Sequence, residues 1–577
     1  MNRPTFKGTA CGAVAWLFFC AILLPGSVAA APATPSYDAG SAVQEARPPQ
    51  QSPVEKPQEV PEIPELKVEP FTLPDGETIF IRDFRFAGVA ETELAAVREL
   101  VAPYRDRELT LSEIYAAAGK ITAYYRNKGF LVARAYVPKQ DASAGVLLIQ
   151  MVVGRYGKIT LQNNSRSRDQ VIAGIFDNAM PAGEPVARDD LERAMLLTSD
   201  LPGVGMPKIA ISRGEQAGTT DFAVAVDPTS RVEGYLLADN YGSRYTGKER
   251  LSAGLQANEL LGIGDQLALN GRTSKASGLQ NGQLDYLFPL GYRGLRLDLG
   301  IGRTTYELGS LYRDLDAKGT ADTFRVGLSY PWQRSSSETL TLSFDIAARR
   351  LRDEMLGEVI SKKHSYVATL GVSRLKYGTL FGLRSVSSLT GGFSYGDLSF
   401  PDDDQEAANK AGADTAGRFA KLTLGFREQL QLSQKLTLSA RLQGQKALGN
   451  KNLDGSEQFT LSGPEGVRSY YTGLMGDTGY LAVAEVKYAL PPVLQVNNSV
   501  GLFTDFGRTY LEDGDFTDSP HSYRLSDVGV AYYVNYEYSQ GRYLIGTLQA
   551  VWAYGPDQDT GNDDSNSRIL GQVGITF

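Results

Sequence analysis

Residues 340–346 read Leu-Thr-Leu-Ser-Phe-Asp-Ile, so apolar and polar side chains alternate along the whole stretch. The same alternation returns in residues 251–257 and 436–443. A period of two is typical of a β-strand with one apolar and one polar face. Such strands fit either a soluble β-sandwich or a membrane barrel that has lipid outside and water inside.

Several features of residues 229–577 favour the membrane barrel. The polar face carries Asp345, Arg427 and Arg441 in mid-strand, which a water-filled lumen tolerates. The segment is too long for one sandwich, and the chain holds 30 tyrosines, as aromatic girdles require. At roughly 10 residues per strand plus connections, it predicts a transmembrane β-barrel of about 16 antiparallel strands.

The chain ends on a strand, residues 569–577, in which Ile569, Val573, Ile575 and Phe577 share one face. A terminal aromatic residue on such a strand resembles the signal by which outer-membrane barrels are recognised for insertion. We therefore expect Phe577 to be the barrel-insertion signal, read by the barrel-assembly machinery after periplasmic chaperones deliver the chain.

The N-terminus has the pattern of a secretory signal peptide in residues 1–30. Basic residues precede an apolar run from 11 to 24, and small residues follow at the cleavage positions. Both cysteines, Cys11 and Cys20, lie inside it, so the mature chain has no disulfide and no thiolate metal site. These observations predict the outer membrane of a Gram-negative bacterium.

Residues 31–76 form a proline-rich linker. This density of prolines favours extended, solvated chain and leaves room only for a short helix between residues 37 and 47. The prolines are Pro32, Pro35, Pro48, Pro49, Pro53, Pro57, Pro61, Pro64, Pro70 and Pro74.

Residues 77–228 have an α+β pattern that occurs twice, in 77–154 and in 155–228. Each unit reads strand, helix, helix, strand, strand. In the first unit Thr110 and Glu113 have the spacing of a capping box, which predicts the start of its second helix.

The composition excludes several function classes. The net charge is -8, and with no basic block this argues against a nucleic-acid partner. The two histidines, His364 and His521, are expected in a loop or the lumen. No Gly-x-Ser-x-Gly motif stands on a strand–turn–helix pattern. We therefore predict no catalytic residues, metal or cofactor, and no enzymatic activity.

Several stretches together resemble the two-partner-secretion transporters of the hemolysin secretion/activation family, within the POTRA-barrel superfamily. The resemblance runs from about residue 77 to the end of the chain. The stretches are 124–140 and 145–155 in the first unit, 201–204 and 218–221 in the second, and 239–242, 463–470, 476–479 and 503–507 in the barrel.

This resemblance implies two periplasmic POTRA domains in front of the barrel, and a sixth extracellular loop folded back into the lumen. The family usually has glycine where this chain has Ser469. In the family the loop arginine meets a strand aspartate, which predicts an ion pair between Arg468 and Asp505. The residues expected to hold the loop in the barrel are Gly466, Val467, Arg468, Tyr470, Phe503, Asp505 and Gly507.

The resemblance also implies that one large exoprotein of hemolysin or adhesin type is secreted, and in some members activated, through the barrel by type V two-partner secretion. Its N-terminal secretion domain is expected to bind the first POTRA domain beside the second helix, where the candidates are Tyr125, Val132, Arg134 and Tyr136. Some members carry an N-terminal helix that plugs the pore, and the short helix in 37–47 is the candidate here. Outer-membrane lipid completes the expected partners.

Three other functions remain open at this point. An insertase of outer-membrane proteins belongs to the same superfamily, but its members usually carry more POTRA units. A passive porin would not need the periplasmic module. A barrel enzyme would need a nucleophile motif that the sequence does not show.

Overall fold

The computed structural model describes residues 37–47, 78–216, 218–517, 520–555 and 566–577. The predicted signal peptide, most of the linker and most of the acidic loop 556–567 lie outside these residues.

The first α+β module packs two helices on one face of a three-stranded sheet. Its elements are β1 Thr78–Ile81, β2 Asp83–Ala87, α2 Leu94–Val101, β3 Arg107–Thr110, α3 Leu111–Asn127, β4 Ala133–Tyr136 and β5 Val146–Val153; α1, Ala39–Glu45, precedes them. The sheet order is β2–β5–β4, with β2 parallel to β5. The capping box predicted at Thr110 and Glu113 is present at the start of α3.

One detail of this module differs from the sequence prediction. The sequence of residues 79–86 predicts one strand that opens the first unit, but this strand breaks at Arg82, whose backbone N–H donates to the Gly145 carbonyl oxygen at 2.7 Å. The first half, β1, turns away and pairs with β3 in a separate two-stranded sheet. A period-two pattern cannot show this break, because both halves are extended.

The second module repeats the arrangement with its own hydrophobic core. Its elements are β6 Arg155–Asn163, α4 Asp169–Ala179, α5 Arg188–Ser199, β7 Lys208–Arg213 and β8 Thr219–Val226. The sheet order β6–β8–β7, with β6 parallel to β8, matches that of the first module. The repeat predicted from the sequence is therefore present.

Sixteen antiparallel strands close into a barrel, as predicted. They are β9 Val232–Asp239, β10 Arg250–Asn258, β11 Gln266–Ser274, β12 Leu279–Pro289, β13 Arg296–Glu307, β14 Lys318–Arg334, β15 Glu338–Met355, β16 Glu358–Leu380, β17 Leu383–Ser399, β18 Gly417–Gln431, β19 Leu436–Leu448, β22 Thr478–Ala489, β23 Asn497–Tyr510, β24 Ser522–Ser539, β25 Arg542–Tyr554 and β26 Ser567–Thr576. Between β19 and β22 lie the short strands β20 Phe459–Thr460 and β21 Met475–Gly476, and α6, Asp403–Ala411, occupies the acidic loop after β17.

The alternation in residues 340–346 has the orientation that a membrane barrel requires. Leu342, Phe344 and Ile346 are exposed on the outer wall. Asp345 faces the lumen, where the Arg325 guanidinium donates to its carboxylate at 3.2 Å. None of the helices within the described ranges is long and apolar enough to cross a membrane.

The second module rests against the turns that join barrel strands at the periplasmic end. The Asp200 carboxylate accepts two hydrogen bonds from the Arg334 guanidinium, at 2.8 and 2.9 Å. Arg296 donates to the Asp200 carbonyl oxygen at 2.8 Å. Asp200 thus joins the end of α5 to β13 through its backbone and to β14 through its side chain.

Candidate functional site

The loop between β19 and β22 folds back into the barrel instead of leaving it. Its reversal depends on Gly463, whose φ of +102° favours glycine, and on Gly466. A Cβ atom on Gly466 would stand 2.1 Å from the Leu461 carbonyl oxygen, so any side chain there would push the turn apart. The turn places the tip, residues 467–470, against the inner wall.

At this tip Arg468 meets Asp505 of β23 as predicted. The guanidinium donates through Nε and Nη2 to the two carboxylate oxygens, both at 2.8 Å. Both side chains are buried. The guanidinium also lies 3.4 Å from the centre of the Phe503 ring. Paired hydrogen bonds and a stacked ring orient the arginine more firmly than a point charge would.

The other predicted loop residues pack around this contact. Val467 and Tyr470 are fully buried in a cluster with Leu461 and residues of the wall. A Cβ on Gly507 would come within 2.5 Å of the Leu461 side chain, so this glycine provides the space in which the loop lies. The structure therefore brings all seven predicted residues to one place.

One residue of this region was not predicted. Asp527 of β24 lies directly opposite Asp505 in the strand register. Its carboxylate accepts a hydrogen bond from the Ser469 backbone N–H at 2.7 Å. The loop tip is thus held at two adjacent residues, one through a side chain and one through its backbone. Only the register of β23 with β24 shows this pairing.

A second segment occupies the lumen. Helix α1 begins after Asp38, whose side chain accepts a hydrogen bond from the Ser41 backbone N–H at 2.9 Å. The Ala39 backbone N–H donates to Asp353 of β15 at 2.7 Å. At the other end, the Glu45 carboxylate accepts from the Ser243 backbone N–H at 2.9 Å. The short helix that the linker composition allows is therefore present, with one end bound to the wall and the other to the loop between β9 and β10.

One buried lysine connects the helix, the loop and the wall. Lys363 of β16 contacts the Asp38 carboxylate at 2.7 Å and the Asp454 carboxylate, in the loop, at 2.5 Å. Gly40 of α1 packs so tightly on the loop that a Cβ would lie 2.4 Å from the Ser456 backbone nitrogen. The helix and the loop thus share both a counter-ion and a packing surface. The sequence showed no signal for Lys363, because its partners are far away along the chain.

A further charge cluster fixes the loop before its tip. Glu457 is buried between the Arg349 guanidinium and Lys421, whose Nζ lies 2.7 Å from its carboxylate. Within the described ranges, no group of three or more His, Cys, Asp or Glu side chains is placed to hold a metal ion. The polar lumen is therefore organised by ion pairs between segments.

The four predicted client-binding residues do not form one surface. Tyr125 belongs to the core of the first module, and burial raises the pKa of its hydroxyl. Val132 packs against the core of the second module. Arg134 and Tyr136 are exposed on the face of β4 that points away from α3.

The free edge of β4 is partly occupied by α3. The Ala135 backbone N–H donates to the Thr122 hydroxyl at 2.9 Å, and the Arg126 side chain donates to the Ala133 carbonyl oxygen at 3.3 Å. An added client strand would have to displace these two side chains. The exposed face with Arg134 and Tyr136 is open without such a rearrangement.

Phe577 takes part in closing the barrel. Its backbone exchanges hydrogen bonds with Gly234 of β9 at 2.8 and 2.9 Å. A Cβ on Gly234 would lie 2.6 Å from the Phe577 ring, so the ring fills the space that this glycine leaves.

Comparisons with known proteins bear on both parts of the chain. Residues 218–524 match the family described as haemolysin secretion/activation protein ShlB/FhaC/HecB. Residues 79–154 match the POTRA domain of ShlB type.

Curated relatives and solved structures agree with this match. The heme/hemopexin transporter protein HuxB of Haemophilus influenzae (strain 86-028NP) is 27% identical over 450 residues, 76% of this chain and 77% of the relative. The outer membrane transporter CdiB of Dickeya dadantii (strain 3937) is 25% identical over 406 residues, 68% and 69% of the two chains. The structure of CdiB from Escherichia coli shares the fold, with a TM-score of 0.67 and 21% identity over 93% of this chain and 95% of that chain.

Proposed function

The chain belongs to the haemolysin secretion/activation protein family ShlB/FhaC/HecB, and from this premise we propose how its lumen and periplasmic modules carry a partner outwards. It is an outer-membrane transporter that secretes a large partner protein by two-partner secretion. Its POTRA domains lie in the periplasm, before a barrel of sixteen strands.

The observation that carries the proposal is the occupied lumen. Helix α1 and the loop of residues 449–477 both lie inside the barrel and share Lys363. A chain crosses this lumen only after at least one of the two segments moves. We infer that the arriving client displaces α1, and that the shared counter-ion transmits this displacement to the loop.

Energy for export comes from the client itself, because the periplasm has no ATP. The client arrives unfolded and folds outside, and folding prevents its return. The proposed client is an exoprotein of hemolysin or adhesin type that is recognised through its N-terminal secretion domain. The alternative function, insertion of other barrels, gains no support from the family match.

We propose that the client first binds the outer sheet face of the first module. Arg134 and Tyr136 offer charge and an aromatic ring there, while Tyr125 lies in the core behind β4 and Val132 packs against the second module. The double substitution Arg134→Gln with Tyr136→Ser is expected to weaken client binding and to lower secretion. Binding of the purified secretion domain to the transporter, measured by calorimetry, tests this directly.

A matched control lies on the same face of the sheet. Arg85→Gln on β2 removes a charge from the opposite edge of the three-stranded sheet, away from β4, and is expected to leave binding unchanged. If the double variant binds the secretion domain like the wild type, this face is not the client site.

The proposed division of the chain is a signal peptide in 1–30, a linker with the plug helix in 31–76, POTRA domains in 77–154 and 155–228, and the barrel in 229–577. N-terminal sequencing of the protein from outer-membrane fractions is expected to begin near Ala31. An intact Met1 would contradict the signal peptide.

Further partners act on the transporter itself. We propose that Phe577 is read by the barrel-assembly machinery, that periplasmic chaperones deliver the chain, and that outer-membrane lipid surrounds the barrel. Phe577→Ala is expected to reduce the fraction of folded barrel, measured by its heat-modifiable migration on gels. We expect no catalytic activity, because secretion by this route breaks no bond.

The transport function is tested by deleting the gene and comparing culture supernatant with the outer-membrane proteome. Loss of one large secreted protein with unchanged barrels supports the transporter. A broad loss of barrels would instead show an insertase.

A further inference from the structure

A basic patch lies on the outside of the barrel at the extracellular ends of β15 and β16. It consists of Arg350 and Arg352 of β15 and of His364 and Lys362 of β16. In the strand register Arg350 lies opposite His364, and Arg352 lies opposite Lys362. The four residues thus form a block of two by two, which we call the outer basic patch.

The alternation of the strands places this patch on the wall that faces lipid. Side chains of even-numbered residues on β15 point outwards, and an unbroken apolar series precedes Arg350. The series is Leu340, Leu342, Phe344, Ile346 and Ala348. Ten residues on a tilted strand span roughly 25 Å, the height of an apolar band. Arg350 therefore stands at the outer boundary of the membrane.

Aromatic rings mark the same boundary one row below. Ala348 lies between Phe324 of β14 and Tyr366 of β16, and both rings are exposed. Aromatic girdles lie at the level of the lipid headgroups. The outer basic patch is thus at headgroup height in the outer leaflet.

The described residues balance the charges of the patch only in part. Arg352 and Lys362 face each other across two strands, an arrangement of like charges that is unfavourable. Arg352 contacts Glu354 at 2.6 Å, whereas Arg350 and Lys362 have no carboxylate oxygen within 4 Å among the described residues. Asp322, which lies opposite Arg350, contacts Arg303 instead, at 3.6 Å.

The periplasmic ends of the same two strands show the opposite arrangement. There Glu338 faces Lys376 in the register, and Arg374 contacts Glu338 at 2.7 Å. At the inner boundary Glu338 thus contacts one cation and lies opposite the other. At the outer boundary Arg350 and Lys362 have no such contact among the described residues, so a bound anion would complete the arrangement.

We propose that the outer basic patch binds the phosphorylated headgroup of an outer-leaflet glycolipid, the phosphate-bearing lipid A portion of lipopolysaccharide. Arg350, Arg352 and Lys362 supply donors to the phosphate, and the acyl chains lie along the apolar wall beneath. The acidic helix α6 is near, since Gln405 accepts a hydrogen bond from the Lys362 backbone N–H at 2.8 Å. Its carboxylates do not reach the Lys362 ammonium within 4 Å, so the cation stays available.

The proposal rests on the outer-membrane location and is independent of the client. The test uses the purified full-length protein in detergent, titrated with lipid A and followed by native mass spectrometry. The variant Arg352→Gln with Lys362→Gln is expected to bind lipid A roughly tenfold more weakly, since each cation near a lipid surface contributes a few-fold in affinity. Dephosphorylated lipid A is expected to bind the wild type as weakly as lipid A binds this variant.

A matched control removes two cations from the inner boundary of the same strand. Arg374→Gln with Lys376→Gln is expected to keep the affinity of the wild type. Equal binding by both double variants, whether strong or weak, would overturn the proposal. The proposal would also be overturned if phosphatidylglycerol bound the wild type as tightly as lipid A and lost this binding in Arg352→Gln with Lys362→Gln. The patch would then accept any anionic headgroup.

Folding of each variant is checked by its heat-modifiable migration on gels. If Arg352→Gln with Lys362→Gln does not fold, the single variant Lys362→Gln is used in its place. For the single variant the expected loss is about threefold. Because binding is measured without a client, a negative result leaves the proposed secretion function untouched, and a failure of secretion leaves the lipid site standing.

Discussion

Arg468 places a positive charge in a buried part of the lumen, where its contacts with the protein have a large effect. Its two hydrogen bonds to Asp505 and its contact with Phe503 replace the water that it loses. Asp527 holds the neighbouring Ser469 backbone, so the tip does not depend on the arginine alone.

Arg468→Ala is expected to abolish secretion while the barrel still inserts. Leaving Asp505 buried and unpaired costs roughly 3–5 kcal/mol, which frees the loop tip. Secretion of the partner and single-channel conductance in planar bilayers measure the effect. Secretion at the wild-type level would contradict a role for this contact.

Exchanging the charges separates electrostatics from shape. Arg468→Asp with Asp505→Arg is expected to recover secretion only in part, because the aspartate cannot stack on Phe503.

The second contact of the loop tip is tested at Asp527. Asp527→Ala removes the acceptor of the Ser469 N–H, whereas Asp527→Asn serves as a control because its amide oxygen still accepts this N–H. Asp527→Asn should therefore change conductance less than Asp527→Ala.

Among the elements, helix α1 is held by contacts at both of its ends and by its packing on the loop. Seven residues form too few internal hydrogen bonds to be stable alone, so its helical state depends on the wall and the loop. Asp38 both begins the helix and contacts Lys363.

Lys363→Met is expected to loosen α1 and the loop together. The substitution keeps much of the side-chain volume but leaves Asp38 and Asp454 without their counter-ion. We expect larger and more frequent channel openings in planar bilayers. Deleting residues 37–47 should open the channel further, and Lys318→Met, at an exposed ion pair, should not change it. Unchanged openings in Lys363→Met would show that the lysine does not couple the two segments.

At the scale of the whole molecule, we expect export to require that the second module keeps its position below the barrel. Asp200 connects α5 to β13 and β14 through three hydrogen bonds. A client passed from module to lumen depends on this orientation.

Asp200→Ala is expected to lower secretion several-fold without changing the folded barrel or client binding to the first module. It removes the acceptor of the Arg334 fork and leaves only the backbone contact with Arg296. Secretion assays and heat-modifiable migration test this. Asp227→Ala, at a salt bridge exposed within the second module, is the control. Equal secretion by both variants would contradict a role for the joint.

The sequence by itself determined the barrel, because a strand between lipid and water must alternate, and this alternation recurs in residues 251–257, 340–346 and 436–443. It also determined the repeat of the modules and the start of α3 at Thr110. The contact of Arg468 with Asp505 was predicted from the resemblance to a known family. These features depend on local periodicity, capping or a recognised motif.

Only the tertiary structure decided which distant residues meet. Asp527 faces Asp505 because of the register of one hairpin, and Lys363 joins Asp38 to Asp454 across 325 and 91 residues of chain. Likewise, Tyr125 and Val132 pack with the hydrophobic cores of the two modules, whereas Arg134 and Tyr136 are exposed. Alternation along a strand shows which residues share a face, but it does not show which element covers that face. The physical reason is that ion pairs and packing between segments depend on distance in space, and a single sequence holds no local signal for that distance.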